Sequence, residues 1–197
     1  AVPLLNFTKV GSADAAILRI IPLRDSLFVL KEDGVFRLTG ENPASFRVDL
    51  YDSTCQILSA ESAVSLNNLI FMLSKYGIVM LSDTKIEVIS RPIEDKILDL
   101  FNVDADKAKL LSFGIAYESD RKYIFSCVTG NDDQYATQAY VYNTFTTTWT
   151  RWVHSQTCGL VHPKFDLIYT GSGITNTFDV ERKSRSYTDY TDSSFLV

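Results

Sequence analysis

The chain is poor in the residues that usually mark chemistry. Its 197 residues hold two histidines, His154 and His162, which excludes a histidine-rich metal centre and a two-histidine helix motif. The three cysteines, Cys55, Cys127 and Cys158, are odd in number and far apart. That spacing gives neither a disulfide framework nor a close redox or zinc pair. All three read as reduced thiols in a protein made in a cytosol, and Cys127, inside an apolar strand, as a small hydrophobe. Cys158 stands four residues from each histidine, but no second cysteine completes a zinc set. Positive charge is also scarce: 19 Lys and Arg face 24 Asp and Glu, for a net charge of -5. The densest basic cluster, Arg182-Lys183-Ser184-Arg185 after Glu181, reads as a solvated turn, not as a nucleic-acid face. No apolar run is long enough to span a membrane, and no secretory leader is visible. The opening on Ala1 and the close on Phe195-Leu196-Val197 read as a fragment of a longer protein.

Catalytic patterns are missing as well. Gly171-Ser172-Gly173 is too short for a nucleophile elbow and reads as a hairpin turn. No glycine loop precedes a helix to cradle phosphate. Asn102-Val103-Asp104-Ala105-Asp106 imitates the start of a calcium loop, but Lys107 stands where glycine is needed and Phe113 where the bidentate glutamate belongs. A helix cap with an acidic first turn explains it better. Ser82-Asp83-Thr84 lacks the glycine and tryptophan of a sialidase-type box, and neither kelch glycines nor a Trp-Asp dipeptide occurs. Sequence therefore assigns no catalytic, cofactor-binding or metal-binding residue, and the chain reads as a non-enzyme.

What is present is a repeat. Leu23 to Leu30, with Gly34, Val35 and Leu38 after it, is matched 43 residues later by Leu66 to Leu73 with Gly77, Ile78 and Leu81. A period near forty with strand-like halves is the mark of a propeller blade. Each copy is a hairpin with glycine in its turn, followed by an alternating outer strand, Phe46 to Tyr51 in the first and Lys85 to Ser90 in the second. Twelve Phe and ten Tyr suit strands.

The fold expected is all-β: a single β-propeller domain or fragment over residues 1–197, with blade-like units at about 16–60, 61–91, 114–157 and 158–192. A short helical insert falls at 92–112. There Ser90 is placed to cap, Pro92 suits a first turn, and Ile93, Ile97, Leu100 and Phe101 recur at helical spacing. Leu27, Phe28, Leu30, Ile70, Phe71, Leu73, Phe125 and Trp149 are expected in the core. Trp149-Thr150-Arg151-Trp152 admits a sugar platform, but a core ring plus one outer ring is the better reading.

Two segments carry a resemblance. Tyr140 to Trp152, and Phe178 to Lys183 with Tyr187 to Asp192, together with the Asp25-to-Leu38 hairpin and the Ile93 helix, resemble virion structural proteins of tailed bacteriophages, of the tail hub or nozzle type of short-tailed phages. The resemblance implies a β-propeller in a ring below the portal, made in the bacterial host cytoplasm and located in the virion tail. Its implied partners are further copies of the chain and other tail proteins, around a passive DNA channel without specific binding and without a membrane anchor. An acidic chain agrees with DNA sliding past, since phosphate affinity grows with each neutralising cation. The family shares no catalytic residues to carry over. Loops at Thr129–Thr137 and Gly171–Asn176 are the candidate partner contacts, with Asp132, Asp133, Gln134, Tyr135, Ser172 and Asn176 as their contact residues. The alternative expectation is a carbohydrate-binding or glycosidase propeller, with acidic and aromatic side chains meeting in a central cleft.

Overall fold

The computed structural model describes residues 7–100, 105–181 and 195–196. It is mostly β, in three sheets that follow one another along the chain. The first joins β1 (Ile17–Leu23), β2 (Ser26–Lys31), β3 (Gly34–Thr39) and β4 (Arg47–Asp52). The second joins β5 (Val64–Leu66), β6 (Leu69–Ser74), β7 (Gly77–Leu81) and β8 (Ile86–Val88). Spatial order equals chain order in both, as short hairpins dictate. Gly34 and Gly77 stand at equivalent turns with φ of 146° and 108°, a region that L side chains rarely enter.

The repeat is written into the packing. Ile70 and Met72 of β6, with Val79 and Leu81 of β7, face the first sheet, where they meet Phe28, Leu30 and Val35. Phe71 and Leu73, with Ile78, face the other way, toward Tyr123, Phe125 and Tyr142 of the third sheet. The period-two alternation of a strand thus places the second sheet between two apolar layers. Phe28 and Phe71, at matched repeat positions, both have no exposed surface. Of the expected core residues only Leu27 and Trp149 are half-buried; the other six are buried.

Polar ties reinforce the first stacking. Asp83 pairs with Arg24 at 3.5 Å and Arg37 at 3.9 Å, and the Tyr51 hydroxyl donates to the Ser82 carbonyl at 2.8 Å. The Ser82-Asp83-Thr84 segment is therefore a bridge between sheets.

After a single 3-10 turn at Arg91–Ile93 come α1 (Glu94–Leu100) and α2 (Ala105–Leu111). Ile97 and Leu100 of α1 are buried under the second and third sheets. Ser90 does not cap this helix, since its hydroxyl instead accepts the Ile78 N–H at 3.0 Å. Both helices lie between residues 94 and 111, while Asn102–Asp104 of the calcium-like stretch and Phe101, expected at helical spacing, lie outside the described residues.

The third sheet departs from the expected four-unit plan. Among the described residues it has seven strands: β9 (Phe113–Tyr117), β10 (Lys122–Cys127), β11 (Ala136–Asn143), β12 (Thr148–His162), β13 (Leu167–Ser172), β14 (Phe178–Glu181) and β15 (Phe195–Leu196), of which the last pair is parallel. The expected boundary at 157/158 falls inside β12, a strand of 15 residues. Thr148 to Gln156 of β12 pair with β11, Gln156 to His162 pair with β13, and the register shifts between Gln156 and Cys158. A bulge there lets one strand serve two neighbours, so the units 114–157 and 158–192 form one continuous sheet, with 182–192 outside the described residues. The sheet curls back on itself. Gly159 lies against the Ile115 side chain, where a Cβ would stand 2.3 Å from Cδ1, and the Tyr117 hydroxyl donates to the Asp166 carbonyl at 2.9 Å. The curl encloses Ile115, Tyr117, Ile124, Val141 and Ile168. Among the described residues the three sheets do not close into a ring.

Candidate functional site

The two loops expected to make contacts are built by different turns and brought together at one end of the third sheet. The loop from Thr129 to Tyr135, between β10 and β11, is organised by Asp133. Its Oδ2 accepts the N–H groups of Thr129 and Gly130, both at 2.8 Å, and the Thr137 hydroxyl at 3.1 Å. Burial pushes the Asp133 carboxyl up, but these donors outweigh it and hold it below the usual carboxylate range. Lys107 of α2 reaches over to donate to the carbonyls of Asn131 and Asp133. The loop is thus fastened from within by its own aspartate and from without by a helix.

The second loop, between β13 and β14, is organised by Ser172. Its hydroxyl accepts the N–H groups of Ile174 at 3.3 Å and Thr175 at 3.2 Å, an ST-turn in place of the nucleophile elbow already excluded. The loops meet where the Tyr135 ring covers Gly173; a Cβ there would stand 2.5 Å from the ring, so only glycine lets the two loops close. Of the six candidate residues, Asp133 through Oδ2 and Ser172 through its hydroxyl are used in making turns, and Tyr135 is half-buried between the loops. Asp132, Gln134 and Asn176 are exposed beside Ile174, which is 75% exposed. The outward chemistry of this tip is one carboxylate, two amides and an aliphatic side chain.

Asp133 gives a pH prediction. Because its folded-state pKa lies below the ordinary value, its stabilisation is present above the unfolded-state pKa, about 3.9, and is lost as pH falls through the folded value. Asp133→Asn is expected to raise exchange of the Thr129 and Gly130 amides near neutral pH. The two proteins should converge in acid, and equal exchange rates at pH 7 would show that the carboxylate does not hold the loop.

A cleft of about 200 Å³ lies between α1 and β11–β12, lined by Lys96, Asp99, Leu100, Thr129, Gln138, Tyr140 and Arg151. Sequence reasoning missed it because its residues come from elements up to 55 positions apart. It combines two cations, one carboxylate, and amide and phenol groups. Burial raises the Tyr140 phenol, with the Arg151 guanidinium working against that, so the phenol stays a neutral donor near pH 7.

The remaining sequence candidates have structural partners. Trp149 donates its indole N–H to the Ile89 carbonyl at 3.0 Å and packs on Tyr142 with centroids 4.9 Å apart. Trp152 packs inside the curl of the third sheet, so the two rings join different clusters and form no common platform. His162 accepts the Lys164 and Phe165 N–H groups on Nδ1. His154 pairs with Asp179 at 3.2 Å, tying β12 to β14 across β13. Burial pushes the Cys55 and Cys127 thiols up to about 12, whereas Cys158 is exposed. Among the described residues there is no group of three or more metal-binding side chains and no helix long and apolar enough to cross a membrane.

No family model and no curated protein matches the chain. Two solved structures show a loose likeness. One is PorZ, described as an essential bacterial surface component of the type-IX secretion system of Porphyromonas gingivalis. It is 13% identical with a TM-score of 0.47, over 91% of this chain and 22% of that one. The other is the extracellular domain of the putative one component system BT4673 from B. thetaiotaomicron, 9% identical with a TM-score of 0.44, over 92% of this chain and 24% of that one. This chain spans less than a quarter of either protein's length.

Proposed function

We propose that this chain is a structural module that works by contact, of the kind found in the tail hub or nozzle of short-tailed bacteriophages, and that its sheets are successive blades of a β-propeller. The observation that carries the reading is the ordered stacking of the sheets through matched repeat positions, Phe28 against the second sheet and Phe71 against the third. Such stacking makes a rigid body whose faces and loops are its output. The resemblance of Tyr140–Trp152 and of the Asp25–Leu38 hairpin supplies the phage assignment. The acidic balance of the chain agrees with a role beside DNA without gripping it. Gold-labelled antibody to the chain should mark the tail of phage particles from the same source in electron micrographs. Particles that carry no label, from a lysate that contains the protein, would overturn the assignment.

The cleft beside Arg151 favours one second reading, a carbohydrate-binding propeller, because guanidinium, amide and phenol groups suit hydroxyl-rich ligands. Against catalysis there, the cleft holds a single carboxylate, Asp99, where glycoside hydrolysis by the usual route uses two. A glycan array showing saturable binding that is lost in Arg151→Ala would favour this reading over the structural one.

A further inference from the structure

The cleft beside α1 holds opposite charges that do not meet. Lys96, Asp99 and Leu100 are three and four positions apart on α1, so they share one face of the helix. Across the cleft, the two-residue alternation of β11 puts Gln138 and Tyr140 on one face, and the register sets Arg151 of β12 opposite Tyr140. A guanidinium gains two parallel hydrogen bonds by closing on a carboxylate. Here neither cation of the cleft pairs with Asp99. Lys96 reaches only the neighbouring Asp95, at 3.2 Å. Neither the Arg151 nor the Asp99 side chain makes a hydrogen bond or ion pair among the described residues. The Tyr140 hydroxyl donates to Gln138 Oε1 at 3.5 Å, which leaves the side-chain N–H groups of Gln138 available as donors.

We propose that this cleft takes one acidic sugar unit, a uronate, with its carboxylate on Arg151 and its ring hydroxyls on Asp99 and Gln138. The assignment rests on the carbohydrate-binding reading of the cleft and adds the charge of the ligand. The guanidinium presents a planar fork that matches a carboxylate, and Lys96 adds a second positive charge to the lining. Asp99 accepts from hydroxyls, while its own charge works against a dianionic phosphate. Lys96, one turn away on the same helix face, works against an ammonium beside Asp99, so a hydroxyl-bearing ring fits there better than an amino acid. A neutral sugar would meet the hydroxyl partners but leave the guanidinium without a counter-charge. Leu100 supplies an apolar wall for the C–H face of the ring. Size agrees as well. The cleft of about 200 Å³ is smaller than the roughly 300–1,000 Å³ of drug-sized sites, which leaves room for one ring and not for a longer chain. Arg151 and Lys96 are exposed, so binding is weak and falls with added salt.

NMR titration of the whole chain tests it, with glucuronate and galacturonate as probes and with glucose, galactose, glutamate and inorganic phosphate as competitors. The better uronate should bind saturably and shift the Arg151 Nε–H and the Gln138 side-chain amide. It should bind at least about tenfold more tightly than either neutral sugar. Arg151→Gln should abolish that preference, and Arg151→Lys should keep part of it, since the charge stays while the planar fork is lost. The position is exposed, so circular dichroism of both variants should match the wild type. A neutral sugar that binds as tightly as the uronates overturns the inference and leaves the carbohydrate reading standing. No saturable binding of any sugar overturns both. Glutamate or phosphate bound more tightly than the uronates overturns the inference, as does uronate binding that Arg151→Gln leaves unchanged. Each of these results leaves the virion assignment to its own labelling test.

Discussion

Phe71→Ala is expected to lower the stability of the folded chain by about 3–5 kcal/mol, the usual cost of removing a buried phenylalanine ring. The ring has no exposed surface, stacks on Tyr123 with centroids 5.2 Å apart and lies 6.1 Å from Tyr142. It therefore belongs to the joint between the second and third sheets. Tyr123 cannot collapse into the gap, because its hydroxyl is held by the Ser62 carbonyl at 2.9 Å, so the cavity persists. In a chain of this length the loss corresponds to a fall of about 6–20 °C in melting temperature. Thermal melts followed by circular dichroism would read it, and a fall of less than about 2 °C would mean that the ring does not join the sheets. Phe28→Ala, at the matched position of the first sheet, should cost a similar amount, whereas a surface ring such as Phe145, 74% exposed, should cost little.

Gly77→Ala is expected to cost about 2–5 kcal/mol, through two separable effects. At φ 108° a side chain is strained, which accounts for about 1–2 kcal/mol. A Cβ would also stand 2.3 Å from the Ser90 hydroxyl oxygen, the acceptor of the buried Ile78 N–H. Moving Ser90 away leaves that N–H without a partner, a further cost of about 1–3 kcal/mol. Gly77→Ala combined with Ser90→Ala removes the clash but not the strain, so the double variant should be more stable than the sum of the two single losses predicts. Urea unfolding of all four proteins would show this coupling, and strict additivity would remove the proposed clash.

The parts of the fold legible in the sequence are those written locally. The Gly34 and Gly77 hairpins, the strands on either side and the matched order of the first two sheets follow from apolar alternation and turn chemistry over some sixteen residues. Even the outer strand expected from Phe46 to Tyr51 is off by only one residue from β4. The third sheet was not legible for a physical reason. Nothing in Ser155-Gln156-Thr157-Cys158 marks a chain break or a continuation, because a bulge carries no residue signature of its own, so a local reading divides β12 in two. Its curl depends on Gly159 meeting Ile115, 44 residues away, and local pattern does not record a contact at that distance.

The candidate site divides in the same way. Loop positions were visible from their Gly, Ser, Asn and Asp content, but the use of each side chain was not. An aspartate that ties a loop and one that points to solvent look alike in a sequence, and Asp132 and Asp133 are such neighbours. One signal was available: Asp133 stands four residues after Thr129 and four before Thr137, within reach of hydroxyls on both sides of a tight loop. The Tyr135–Gly173 contact that joins the two loops had no such signal, nor did the cleft beside Arg151.

Native-state hydrogen exchange resolved by residue tests the central claim, that the second sheet is enclosed between the other two, most directly. β6 and β7 are covered on both faces, so the amides of Phe71, Met72 and Val79 should open only with global unfolding and be among the slowest in the chain. Those of β4, at an edge with Leu50 exposed, should exchange much faster. Exchange in β6 as fast as in β4 would contradict the stacked arrangement on which the proposed role rests.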